Sequence, residues 1–134
     1  MPIDIDTIYD AVNAYYDLSP GDLLKNTRKK EVVEKRHVFL FLCCKHTKKS
    51  LNEIGYYPAS LGYKKIDHAT VLHARNKIKS QLKIYKDIKE DIKGIEIFID
   101  DLRKSLDTTR IVVRNVDLLA ISEVNTMYEN NYLK

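Results

Sequence analysis

Only four glycines and three prolines punctuate these 134 residues, and between them apolar side chains recur at spacings of three and four. So few turn-formers disfavour a β-rich fold and predict helices with short connections. Ile5, Ile8, Val12 and the Tyr15/Tyr16 pair share one stripe, which predicts a helix from Ile5 to Tyr16 behind an acidic cap at Asp4 or Asp6. Ser19-Pro20-Gly21-Asp22 predicts a short helix through Leu23 and Leu24. From Glu31 to Thr47 the apolar surface of Val32, Val33, Val38, Phe39, Phe41, Leu42 and Cys43 is wide enough to place that helix centrally. Ser50-Leu51-Asn52-Glu53 is a capping box, opening a helix of about two turns that ends near Tyr57-Pro58.

The next helix starts at Asp67-His68-Ala69-Thr70-Val71-Leu72-His73-Ala74. Asp67 can cap the backbone, and the residues after it then point outward from the first turn. Asp, His and Thr offer hydrogen-bonding groups suited to base edges, and Ala69 offers a methyl suited to thymine. An ordinary solvated helix cap would carry similar residues, so charge has to decide. Residues 25–93 hold 18 Lys and Arg against seven Asp and Glu, whereas residues 1–24 hold five acids and no base. The net +4 of the whole chain conceals a strongly basic middle. The run Lys25-Asn-Thr-Arg28-Lys29-Lys30 falls in an expected loop, where like charges repel one another and a polyanion relieves the repulsion.

Other chemistries find little support. Cys43 and Cys44 are adjacent, so on a helix they point about 100° apart and, with His37 and His46, do not make zinc spacing. His68 and His73 are off-face for paired ligation, and no metal or cofactor is expected. There is no Gly-rich phosphate loop and no paired nucleophile and base, which argues against an enzyme. The longest strictly apolar run, Val38 to Cys44, is too short to span a bilayer. The acidic N-terminus lacks a signal-peptide pattern. The expectation is one cytoplasmic domain with reduced thiols.

Tyr15-Tyr16, Asp22-Leu23-Leu24, Arg28, Arg36, Ser50-Leu51-Asn52-Glu53-Ile54-Gly55, and Asp67-His68-Ala69-Thr70-Val71-Leu72-His73-Ala74 with Lys77-Ile78 resemble, in order, the C-terminal DNA-binding domain of the bacterial replication initiator DnaA. The resemblance covers roughly residues 5–106. It implies an all-α helix-turn-helix bundle, Trp-repressor-like in class, of bacterial or bacteriophage origin. It also implies that Arg28, flanked by Lys29 and Lys30, enters a minor groove and that Arg36 grips phosphate. By the same resemblance Asp67, His68 and Ala69 read bases in the major groove, Thr70 and His37 touch backbone, and Asn52 lies near bases. Lys64, Lys65 and His73 complete the expected DNA-binding set.

The chain departs from the family pattern in three places. Lys64-Lys65-Ile66 replaces the Gly-Arg that normally precedes Asp-His, and the turn from Gly55 to Asp67 is about five residues longer. Ala69 replaces Thr or Ser. Cys44 stands where the family often has a phosphate-binding Lys. No stretch carries the family's ATPase module, so the expectation is a DNA-binding domain standing without it.

Val71, Ala74, Ile78, Gln81, Tyr85, Ile88, Ile92, Ile95, Ile99, Leu102 and Leu106 form a heptad-like seam. It fits one or two helices folded on the core with a break near Asp87 or Gly94; a homodimer helix is the sharper alternative. Arg110 to Arg114 is expected to be extended, and Val116, Leu119, Ala120, Val124 and Met127 to stripe a last helix in a C-terminal extension, 107–134, of no assigned role. The functional expectation is sequence-specific binding of double-stranded DNA at DnaA-box-like sites, in replication or transcription control. A replication protein is a second candidate partner. The rival expectation is a protein-interaction or virion module that keeps the fold without the DNA contacts.

Overall fold

The computed structural model describes residues 3–116, with side chains to residue 104, and every regular element among them is helical. The chain divides into two compact units, residues 1–100 and 101–134. The described residues of the second unit, 101–116, are helical.

Helix α1 (Ile5–Tyr16) starts on Asp4, whose carboxylate accepts from the Thr7 amide at 2.9 Å, and stops at Asp17 in the left-handed region at φ 55°. Helix α2 (Lys30–His46) is the centre of the first unit. Residues His37 to Cys43 are all buried, so α2 is covered on every side at its middle, as a continuous apolar run demands. Cys43 and Cys44 are free thiols; burial raises the pKa of both, most strongly at Cys43. Helix α3 (Leu51–Ser60) opens on the complete capping box: the Glu53 amide donates to Ser50 Oγ at 3.1 Å, and the Ser50 amide donates to Glu53 Oε1 at 3.0 Å. It runs through Pro58 to end two residues later at Ser60, and the Pro58 carbonyl accepts from the Tyr63 amide at 2.8 Å. Helix α4 (His68–Gln81) buries Val71, Ala74 and Ile78, mainly against α2 and α3.

Three expectations are corrected. Pro20 to Leu24 is a series of turns and not a helix, because Gly21 sits at φ 88° and ends helical propagation; a side chain there would strike the Tyr63 hydroxyl. The seam beyond Val71 is broken at Leu82–Tyr85, close to the expected Asp87 and not at Gly94, and α5 (Lys86–Val116) starts afresh. Gly94 lies inside α5, where any side chain would meet the Tyr15 ring, so it is a crossing point and not a break. Arg110 to Arg114 is helical. The strand preference of Ile111, Val112 and Val113 is weak and context-dependent, while each added helical residue gains a hydrogen bond at little cost. The final helix expected through Leu119 and Met127 lies outside the described residues.

Within the first unit, α5 buries Ile92, Ile95 and Ile99. Asp91 accepts from both Tyr15 and Tyr16 hydroxyls, at 2.9 and 3.0 Å, and Glu96 accepts from Lys45 and pairs with His46 Nε2 at 2.6 Å. The Val71, Ala74, Ile78, Ile92, Ile95 and Ile99 positions of the seam are thus buried within this chain. No described helix is long and apolar enough to cross a membrane.

Candidate nucleic-acid interface

Helices α3 and α4 and the turn between them form the helix-turn-helix. Its geometry is fixed at Gly55, whose carbonyl accepts from the Ile66 amide at 2.8 Å. A Cβ on residue 55 would run into the Ile66 carbonyl, so only glycine admits this approach. Gly62, at φ 89°, turns the chain just before the Tyr63 and Ile66 amides tie it back to the Pro58 and Gly55 carbonyls. The lengthened turn is therefore tied back onto α3 immediately before α4 begins.

Asp67 caps α4, its carboxylate accepting from the Ala69 amide at 3.1 Å, and its other oxygen lies 3.6 Å from His68 Nδ1. Asp67, His68, Ala69 and Thr70 are all exposed, and His73 is exposed one turn later. The opposite face of the helix is buried, so the side that carries these residues is the free one. A helix held from behind with its first turn bare can enter a major groove.

The other expected residues fall into distinct surroundings. Arg28, Lys29 and Lys30 are exposed; Lys30 is the first residue of α2, and Lys29 precedes it without a side-chain cap. Asn52 and Lys65 line one open cleft with Lys49, Glu53 and Tyr56, and Lys64 is exposed beside it in sequence.

Arg36 and His37 are less exposed than the first turn of α4. Arg36 is turned onto its own chain: Nε donates to the Leu23 carbonyl at 2.9 Å and Nη2 to the Lys25 carbonyl at 2.8 Å. Two of its five donors thus brace the chain where it enters the basic loop. His37 is 9% exposed and packs edge to face on His73, with ring centroids 6.0 Å apart. It lies behind the exposed surface and not on it. Neither arrangement is visible in the spacing, since each depends on a contact between separate elements.

Sequence reasoning also missed a second basic cleft, where Phe41, Cys44 and Lys45 of α2 meet Arg75 and Lys79 of α4 beside Leu82. The spaced Arg75, Lys77, Lys79 series was the available signal, but nothing in it separated the flank beside Cys44 from the flank beside His37. Among the described residues no group of three or more His, Cys, Asp or Glu is placed to hold a metal.

Residues 5–78 match the family model described as bacterial dnaA protein helix-turn-helix, a span that ends within α4. The chain is 36% identical over 97 residues to the chromosomal replication initiator protein DnaA of Bacteroides fragilis, covering 72% of this chain and 19% of that protein. It is 37% identical over 102 residues to the protein of the same name from Levilactobacillus brevis, covering 76% of this chain and 21% of that one. The Limosilactobacillus reuteri relative is 39% identical over 90 residues. The chain therefore spans about a fifth of the length of these relatives. The match supports DNA binding and concerns a domain that is not catalytic, and the chain belongs to the bacterial DnaA helix-turn-helix family.

Proposed function

We propose that this protein binds double-stranded DNA with sequence preference, inserting the first turn of α4 into the major groove. The observation that carries the reading is the bare, capped start of α4, Asp67 to Thr70, on a helix whose other face is buried through Val71, Ala74 and Ile78. In this reading Asp67, His68 and Ala69 meet base edges, with Asn52 beside them, while Thr70, Lys64, Lys65 and His73 meet the backbone. Arg28 enters an adjacent minor groove, and Lys29 and Lys30 supply charge around it. Arg36 acts first by holding the loop that presents Arg28. The biological task that fits is occupation of DnaA-box-like sites in replication or transcription control.

Fluorescence anisotropy across a salt series tests the core of this. About six phosphate contacts give a log–log slope near −5. An absence of binding to any duplex at low salt overturns the reading in favour of a protein-interaction module.

A further inference from the structure

Tyr63 joins two elements that the sequence keeps far apart. Its amide donates to the Pro58 carbonyl at 2.8 Å, so its backbone is tied to the last turn of α3 shortly before Asp67 caps α4. Its half-buried ring reaches across to Gly21, where the hydroxyl takes the space that any Cβ would fill. Gly21 sits at φ 88°, and its carbonyl accepts from the Lys25 amide at 3.0 Å, which makes it the root from which the basic run Lys25 to Lys30 leaves. Leu23 and Leu24 are buried just beyond it, and the Arg36 guanidinium holds the Leu23 and Lys25 carbonyls. The loop is thus bracketed by Arg36 of α2 on one side and by Tyr63 of the helix-turn-helix on the other.

The two brackets control different things. Arg36 fixes the loop against α2. Tyr63 belongs to the turn that leads into α4, so it fixes the loop against the segment that presents Asp67, His68 and Ala69. A contact made in advance removes a freedom that would otherwise be lost on binding. It also gives the pair of elements a single reach, and duplex DNA measures reach in base pairs. One added base pair moves a sequence element about 3.4 Å along the axis and turns it by about 35°.

We infer that Tyr63 is a positioning residue that sets the reach between the Arg28 loop and the first turn of α4, and so the number of base pairs preferred between the minor-groove tract and the major-groove contact. This rests on the DNA-binding reading above and deepens it by naming what sets the selectivity of that same interface. A tyrosine that merely packs would, when removed, weaken binding to every duplex by the same factor. One that sets the reach also governs the spacing rule.

The test starts from the duplex that the wild-type protein selects out of a random pool and compares it, by fluorescence anisotropy, with a duplex carrying one extra base pair between the A/T tract and the major-groove element. For wild type the insertion should weaken binding about five- to tenfold, the lower range for one altered base pair. Tyr63→Ala should bind the selected duplex more weakly and tolerate the insertion within about twofold. Because the penalty arises from carrying Arg28 out of its groove, Arg28→Ala should remove it too, and adding Tyr63→Ala should then change it no further. A wild-type penalty retained in Tyr63→Ala would overturn the positioning role. So would a selected site without a flanking A/T tract, or a wild-type protein indifferent to the insertion. If Tyr63→Ala does not fold, Tyr63→Leu, which keeps apolar bulk but stops short of Gly21, answers the same question: a relaxed penalty supports the role and an unchanged one overturns it. An absence of wild-type binding to any duplex at low salt is a different result, which overturns the DNA-binding reading and the spacing role with it.

Discussion

The amide of Ile66 donates to the carbonyl of Gly55 at 2.8 Å, closing the turn of the helix-turn-helix over the middle of α3. Gly55→Ala should force the two backbones apart, since the new methyl points at the Ile66 carbonyl with Val71 beside it. Overpacking of this kind costs about 1 to 3 kcal/mol. Urea denaturation should show that loss, and an unchanged midpoint would mean that the turn is not held at this point.

Arg36 separates two roles that a simple alanine substitution would confound. If its guanidinium mainly braces Leu23 and Lys25, then Arg36→Lys should behave much like Arg36→Ala, because an ammonium cannot reproduce the forked geometry. Both variants should lose about 1 to 3 kcal/mol of stability and weaken binding to all duplexes alike. Near-complete rescue of DNA affinity by Lys would instead mark a plain phosphate contact.

Base reading has a sharper signature than affinity. His68→Ala and Asp67→Ala should each cost about 1 to 3 kcal/mol on the preferred site, selected from a random duplex pool, and little on random DNA. For Asp67 part of the loss is its cap to the Ala69 amide, so Asp67→Ser, which restores a cap, should recover stability without recovering specificity. Equal losses on both kinds of DNA for His68→Ala would remove it from the reading set.

Arg28 should show a dependence on flanking sequence. In a narrow A/T-rich minor groove the potential is deeper, so Arg28→Ala should lose affinity mainly for sites that carry an A/T tract beside the major-groove contact. Lys29→Ala and Lys30→Ala should act as weaker, sequence-blind charge deletions. Uniform losses from all three would reduce the loop to an electrostatic patch.

What could be read in advance was what local chemistry determines. Ser50 and Glu53 announce a helix start through their own reciprocal bonds, and Asp67 does so through its bond to Ala69, so both starts were placed within a residue. The apolar run Val38 to Cys43 likewise identified α2 as central. Contacts across elements were not legible. That Gly21 would face the Tyr63 hydroxyl, that Arg36 would reach back to Leu23, and that His37 would lie beneath His73 depend on how the helices cross. The site was accordingly clearer as a roll of residues than as an arrangement, and the burial of His37 is the sharpest case.

The interruption at Leu82–Tyr85 insulates the phase of the exposed first turn of α4. Each residue added to an unbroken α-helix rotates everything beyond it by about 100°. Because α4 ends at Gln81 and α5 nucleates independently at Lys86, a length change downstream leaves the azimuth of His68 and Ala69 above α2 untouched. A change in the length of the Leu82–Tyr85 connection would thus leave the first turn of α4 facing as it does, while Ile92, Ile95 and Ile99 keep α5 bound to the core.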